Sequence, residues 1–285
     1  MSSKRSGSLL LIGIALLFGL TAAEPAAGAA GFQYVVMSNG KTARIYPSGT
    51  INKSAWYNGS KGRAVAITAG HGRWLFVVLS NGQVMRVYPS GTINKSAWYN
   101  GSKGQAVAIA PGPKGQWLFV VLRSGQVMRV YPSGTINKSA WYNGSKGKAV
   151  AAAAGPKGQW LFVVLQSGRV MRMYPSGTIN KSAWYNGSKG KAVTAGAGPK
   201  GQWLFVVLQS GKVMRLYESG TINKSAWYSG SKGKARAVAA GPEGQWLFVV
   251  LRSGKVMRLY ESGTINKGAW YNGSKGRALT SVGGP

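Results

Sequence analysis

One short segment carries nearly every side chain in this sequence that could hold a ligand: Asn137-Lys138-Ser139-Ala140-Trp141-Tyr142-Asn143-Gly144-Ser145-Lys146. Its amides offer donors and acceptors for hydroxyl groups. Lys138 and Lys146 would attract carboxylate, phosphate or sulfate, and an exposed aromatic ring would give a sugar an apolar platform. In a regular strand Trp141 and Tyr142 point to opposite sides, so one is expected to pack against its neighbours while the other faces outward. The segment recurs with few changes: Asn52, Lys53, Trp56, Tyr57 and Asn58; then Asn94, Lys95, Trp98, Tyr99 and Asn100. Asn180, Lys181, Trp184, Tyr185 and Asn186 follow, then Asn223, Lys224, Trp227 and Tyr228, with Ser229 in place of the second Asn. The last set is Asn266, Lys267, Trp270, Tyr271 and Asn272, with Gly268 in place of Ser. The competing assignment is structural, with the aromatics stapling a strand to its sheet and Asn serving turns. For Trp, which is usually highly buried, that assignment is favoured. For Tyr, Asn and Lys together the ligand role is favoured.

Catalysis is poorly supplied. His71 is the only histidine, and it stands in a linker unlike the others. The acids are Glu24, Glu218, Glu243 and Glu261, with no Asp and no Cys anywhere. General acid–base chemistry wants positioned carboxylates or His, zinc wants Cys or His, and hard cations want several carboxylates. The reading is therefore a non-enzymatic chain with no cofactor and no metal. Arg44, Arg86, Arg129, Arg172, Arg215 and Arg258 form a second recurring set. They are read as stems packed between neighbours with the guanidinium reaching out.

The charge points to partners. A formal net charge of +32 over 285 residues attracts polyanions: acidic polysaccharide, nucleic acid or an anionic membrane. The start of the chain reads as a secretory leader over 1–29, with Lys4 and Arg5 ahead of the apolar run Leu9–Leu20 and small residues around Ala27-Gly28-Ala29. That predicts a secreted or periplasmic protein, with cell-surface or envelope association and no membrane span in the mature chain.

The elements that must position these groups follow from the repeat. Trp74, Trp117, Trp160, Trp203 and Trp246 are each 43 residues apart, and a drifted copy begins at Phe32, which makes six copies. A period of this length, built of short apolar runs between Gly turns, marks one supersecondary unit per copy. Each copy reads as four strands: Trp117–Leu122, Gln126–Tyr131, a short one around Ser139–Asn143 after a polar loop, and the Ala-rich run Lys148–Ala154. Small side chains suit the crowded inner strand of a propeller blade, so the order from the axis outward is Ala-rich, Trp-Leu-Phe, Val-Met-Arg, Ala-Trp-Tyr. The expected fold is all-β: a six-bladed β-propeller of four-stranded blades over residues 30–285. The first copy has no Ala-rich run before it and 277–284 is left over, so that run is expected to complete the first blade and close the ring.

The stretch 106–131, AVAIAPGPKGQWLFVVLRSGQVMRVY, followed by Trp141 and a Gly turn, resembles the tectonin repeat, and the resemblance covers all six copies. It implies a six-bladed propeller and, since many tectonin-type proteins are lectins, binding of bacterial or methylated glycans. The extreme basicity and near-identity of the copies depart from that family's pattern. The leading expectation is a glycan-binding protein with repeated pockets for acidic or bacterial-surface glycans. The alternatives are a module for nucleic acid or other anionic polymers, and a structural envelope or interaction scaffold.

Overall fold

The computed structural model describes residues 31–70, 74–112, 116–155, 159–198, 202–242 and 246–283. The expected leader and the linker residues His71, Lys114, Lys157, Lys200 and Glu243 lie outside the described residues.

The runs Leu-Phe-Val-Val-Leu are buried along their whole length, because each lies in a sheet sandwiched between two others. Phe119 and Val121 pack forward against Leu161 and Val163 of the next copy, while Leu118, Val120 and Leu122 pack back against Phe76 and Val78 of the previous one. A strand with two dry faces needs no polar alternation.

The strands of the first three copies are β1 (Gln33–Met37), β2 (Thr42–Ile45), β3 (Ile51–Tyr57), β4 (Ala64–Ala69), β5 (Leu75–Leu79), β6 (Val84–Val87), β7 (Ile93–Tyr99), β8 (Ala106–Pro111), β9 (Leu118–Leu122), β10 (Val127–Val130) and β11 (Ile136–Tyr142). The rest are β12 (Ala149–Ala154), β13 (Leu161–Leu165), β14 (Val170–Met173), β15 (Ile179–Tyr185), β16 (Ala192–Ala197), β17 (Trp203–Leu208), β18 (Val213–Tyr217), β19 (Ile222–Tyr228), β20 (Ala235–Ala240), β21 (Trp246–Leu251), β22 (Val256–Tyr260), β23 (Ile265–Tyr271) and β24 (Ala278–Gly283). They form six antiparallel four-stranded sheets: β4 to β7, β8 to β11, β12 to β15, β16 to β19 and β20 to β23 in sequence order, and β24-β1-β2-β3. Each sheet is a blade. The inner strands β4, β8, β12, β16, β20 and β24 neighbour one another in a closed cycle. The protein is a six-bladed β-propeller, with the blade order and the closure expected from the chain.

Closure is made by β24, whose residues pair from Gln33↔Gly283 to Met37↔Ala278. Around the axis the inner strands enclose a cavity of about 360 Å³, lined by small residues such as Ala151, Thr194, Gly241 and Ser281. Ala here follows from the taper, since a larger side chain on every blade would fill the axis. Among the described residues no helix is long and apolar enough to cross a membrane.

The outer strand corrects the expected boundaries. It begins at Ile136 and not near Ser139, so the polar stretch Ile136-Asn137-Lys138 is strand. Its pairing with β10 runs Val127↔Tyr142, Arg129↔Lys138 and Val130↔Ile136, with register shifts on both sides of Arg129. Such bulges bend a strand and break strict alternation of its side chains.

The first blade is imperfectly built. Gln33 and Thr42 stand where the other blades have Leu and Val, and Ser281 where they have Ile, Ala or Val. Both amide atoms of Gln33, the Thr42 Oγ1 and the Ser281 Oγ are buried without a hydrogen-bond partner. An orphaned buried polar group costs about 1–3 kcal/mol. Gln33→Leu, which copies the other blades, is therefore expected to raise stability by about 1–3 kcal/mol in urea unfolding. An unchanged or lowered midpoint would show that the amide is satisfied.

Candidate functional site

Both aromatics of the repeated segment are buried, which corrects the expectation that one faces outward. Trp56, Trp98, Trp141, Trp184, Trp227 and Trp270, and Tyr57, Tyr99, Tyr142, Tyr185, Tyr228 and Tyr271, are each at most 3% exposed. The bulged register is the physical reason: Trp141 and Tyr142 enter one cluster with Phe119, Leu161 and Met171, between the third and fourth blades.

Their polar atoms hold the ring together. Trp141 Nε1 donates to the Pro175 carbonyl of the next blade at 2.8 Å, and Arg129 Nη1 donates to that same oxygen at 2.6 Å. The pair of bonds recurs at every seam, reaching Pro89, Pro132, Glu218, Glu261 and, across the closure, Pro47. Gly134 makes the approach of its turn feasible: at φ +101° it lies so near Trp98 that an added Cβ would stand 2.8 Å from the Trp98 carbonyl oxygen. The buried tyrosines clamp the loop between blades. Tyr99 Oη donates to Gly104 O at 2.5 Å and accepts from Lys103 N at 3.1 Å. Burial raises the pKa of Tyr99 and its equivalents, and the backbone N–H opposes that.

The asparagines divide into two sets. Asn52, Asn94, Asn137, Asn180, Asn223 and Asn266 are engaged inside their own blades. Asn137 Oδ1 accepts from Arg129 Nε at 2.7 Å, and its Nδ2 donates to Tyr131 Oη at 3.0 Å. Asn58, Asn100, Asn143, Asn186 and Asn272 accept from the backbone N–H two residues on, which leaves their amide N–H groups available. Lys53, Lys95, Lys138, Lys181 and Lys224 are exposed, and Lys267 Nζ donates to Ser48 O at 3.1 Å.

The perimeter of the disc brings part of the predicted set together. Between the first and second blades a cleft of about 320 Å³ is lined by Lys53, Ala55, Trp56, Tyr57, Asn58, Ser60, Gly91 and Ile93. Between the fourth and fifth the equivalent residues Lys181, Ala183, Trp184, Tyr185, Asn186, Ser188, Gly220 and Ile222 line one of about 360 Å³. The first Asn of each copy and Lys146 are not among the lining residues of either.

A second cluster was missed by sequence reasoning. Among the described residues the exposed aromatic rings are Tyr46, Tyr88, Tyr131, Tyr174, Tyr217 and Tyr260, at 39–44%. Tyr131 leans on Trp117 at 4.5 Å between centroids, and the Arg129 guanidinium lies 4.4 Å over that indole. The signal was present in the alternation of Val127, Arg129 and Tyr131 along one face, where burial decreases toward the strand end. These clusters occupy one end of the disc, here the tyrosine end. Glu218 and Glu261 share it, with their carboxylates near Gly155 and Gly198 of the preceding blades.

No protein-family model matches the chain, and no curated protein matches it. Among solved structures, a chain of the crystal structure of a nidogen/laminin complex aligns with a TM-score of 0.71 at 12% identity, covering 88% of this chain and 97% of that one. The likeness is one of fold. A hydrazine synthase chain from Kuenenia stuttgartiensis gives a TM-score of 0.47 at 14% identity over 69% of this chain and 76% of that one. Among the described residues no group of three His, Cys, Asp or Glu is placed to hold a metal ion.

Proposed function

We propose that this propeller is a non-enzymatic, multivalent binder of acidic glycans, and that its sites are the perimeter clefts. One observation carries the reading: the same cleft, with the same lining, stands at two seams on different sides of the ring. The floor is rigid because Trp and Tyr are held by the seam. The rim offers an ammonium group for an acidic sugar substituent, with Asn N–H and Ser Oγ for hydroxyls. A volume of this size lies at the small end of ligand pockets, which fits one or two sugar rings. Weak sites on a rigid ring gain about 10²- to 10⁴-fold in avidity when the ligand repeats at a matching spacing. The secretory leader expected over 1–29 would bring the chain to surfaces rich in such polymers, and the resemblance to tectonin repeats agrees with the role.

Replacing Lys53, Lys95, Lys138, Lys181, Lys224 and Lys267 together by Ala is expected to weaken binding of an acidic oligosaccharide by at least about tenfold per site, the worth of one charge-assisted contact. The melt should stay cooperative, since these side chains are exposed. Calorimetric titration of the parent should give a stoichiometry near the number of seams. Undiminished binding by the six-fold variant would remove the clefts from the function.

A protein-interaction scaffold is the second reading, favoured by the tyrosine end. Its exposed Tyr, with Trp and Arg beneath, is the residue mixture that dominates protein-binding hot spots. Tyr131→Ala and its five equivalents would abolish such binding while leaving the clefts intact.

A further inference from the structure

We propose that the end opposite the tyrosines is a docking face for an anionic lipid bilayer. Two loops of every blade meet there: the turn between second and third strands, and the loop that enters the next inner strand. Their contact is direct. Gly125 of the third blade's turn lies so close to Lys148 that an added Cβ would stand 2.5 Å from the Lys148 Cβ, and Ala149 N donates to Gly125 O at 2.9 Å. The same pairing brings Gly40 to Arg63, Gly168 to Lys191, Gly211 to Lys234 and Gly254 to Arg277. Each loop also carries a second exposed cation four residues after the buried Tyr, such as Lys61, Lys103 and Lys146. Among the described residues no acid lies on this end, because Glu218 and Glu261 sit in the turns of the other. Among the described residues the disc is thus polarised, with a collar of Lys and Arg, interrupted at Gln105, around one mouth of the axis.

Inside the collar five of the six equivalent residues are aliphatic. Val150 and Val193 are 38% and 37% exposed, and Val65, Val107 and Leu279 occupy equivalent positions, half-buried. Arg236 takes the sixth. Burial depresses its pKa, and the neighbouring Arg277 and Arg252 add to the shift, so cations already crowd one another here. A counter-surface must neutralise cations from all six blades at once while accepting an aliphatic hub. A linear polymer crosses the ring along one line and touches a few blades. A plane of anionic headgroups meets the whole collar, and the hub then faces the boundary of the acyl region. None of the collar cations lines a perimeter cleft.

The second blade supplies the test substitution, because the residue beside its Gly82 is Gln105 and its strands pair as in the other blades. Arg63, Lys148, Lys191, Lys234 and Arg277 are changed together to Gln. Flotation with phosphatidylcholine vesicles containing about 30% phosphatidylglycerol is expected to show partitioning of the parent that is absent on pure phosphatidylcholine. The five-fold variant is expected to lose about 10³- to 10⁴-fold in partitioning, from roughly fivefold per cation. Its cooperative melt and its oligosaccharide titration should not change. Val150→Ser with Val193→Ser should weaken partitioning at constant charge. The proposal fails if the parent does not float with anionic vesicles, or if the five-fold variant floats equally well. It also fails if the valine variant is unchanged and a soluble polyanion such as polyphosphate binds this face as tightly as the vesicles do.

Discussion

Deleting residues 277–285 is expected to abolish the cooperative unfolding transition and to leave an aggregating chain. The deletion removes β24, the inner strand of the first blade, and with it every hydrogen bond between β24 and β1. It also deprives β20 and β4 of the strand that lies between them in the inner cycle. Val35, Met37, Ala43 and Ile45 pack with Trp270, Tyr271 and Ala278 in the last seam, so loss of Ala278 opens that cluster to water. What remains is an unprotected edge on β1, a hydrophobic strand with no charge to discourage pairing with another chain. Circular dichroism melts and light scattering would follow the outcome. Addition of a peptide of residues 277–285 should recover solubility. A truncated chain that stays monomeric and melts as the parent does would refute ring closure by this strand.

The second large effect is expected at the indole of a seam. Trp141→Ala should lower stability by about 3–5 kcal/mol, the usual range for a fully buried large aromatic. Trp141 is 3% exposed, lies edge-on to Phe119 at 4.6 Å, and donates to Pro175 O. Trp141→Phe keeps much of the packing and deletes the donor. Its cost should be nearer 1 kcal/mol beyond the volume change, because Arg129 Nη1 still reaches the same oxygen. Urea unfolding of the two variants separates packing from hydrogen bonding. Equal and small losses would mean that the seam closes around the gap.

The sequence reveals the blade order and the ring because both rest on rules that act locally: Ala at a crowded axis, unbroken apolar runs between two faces, and Gly at fixed intervals. The side on which a given aromatic lies was not legible in the same way. Period-two alternation assigns Trp141 and Tyr142 to opposite faces, and the register shifts beside Arg129 are invisible to it. Tyr131 was passed over because it shares a face with the apolar Val127, and spacing alone does not show where along that face burial ends. The collar could not be read either, since Gly125 and Lys148 are brought together only once the loops share an end. The two perimeter clefts fall between these cases. Lys181, Trp184, Tyr185 and Asn186 were grouped from spacing, but Gly220 and Ile222, which form the far wall, belong to the next copy.

The seam bonds end on a backbone carbonyl, and this has an evolutionary consequence. The acceptor residue is Pro at 47, 89, 132 and 175 and Glu at 218 and 261, yet indole and guanidinium find the same oxygen in every case. A main-chain acceptor is supplied by any residue, so selection for ring integrity places little demand on the side chain there. Each blade therefore carries one position that can drift independently while the scaffold keeps its shape. The two glutamates record two such departures, and they introduce negative charge where the other copies have an uncharged Pro. Repeats copied from one ancestor can in this way acquire individual character, one rim side chain at a time.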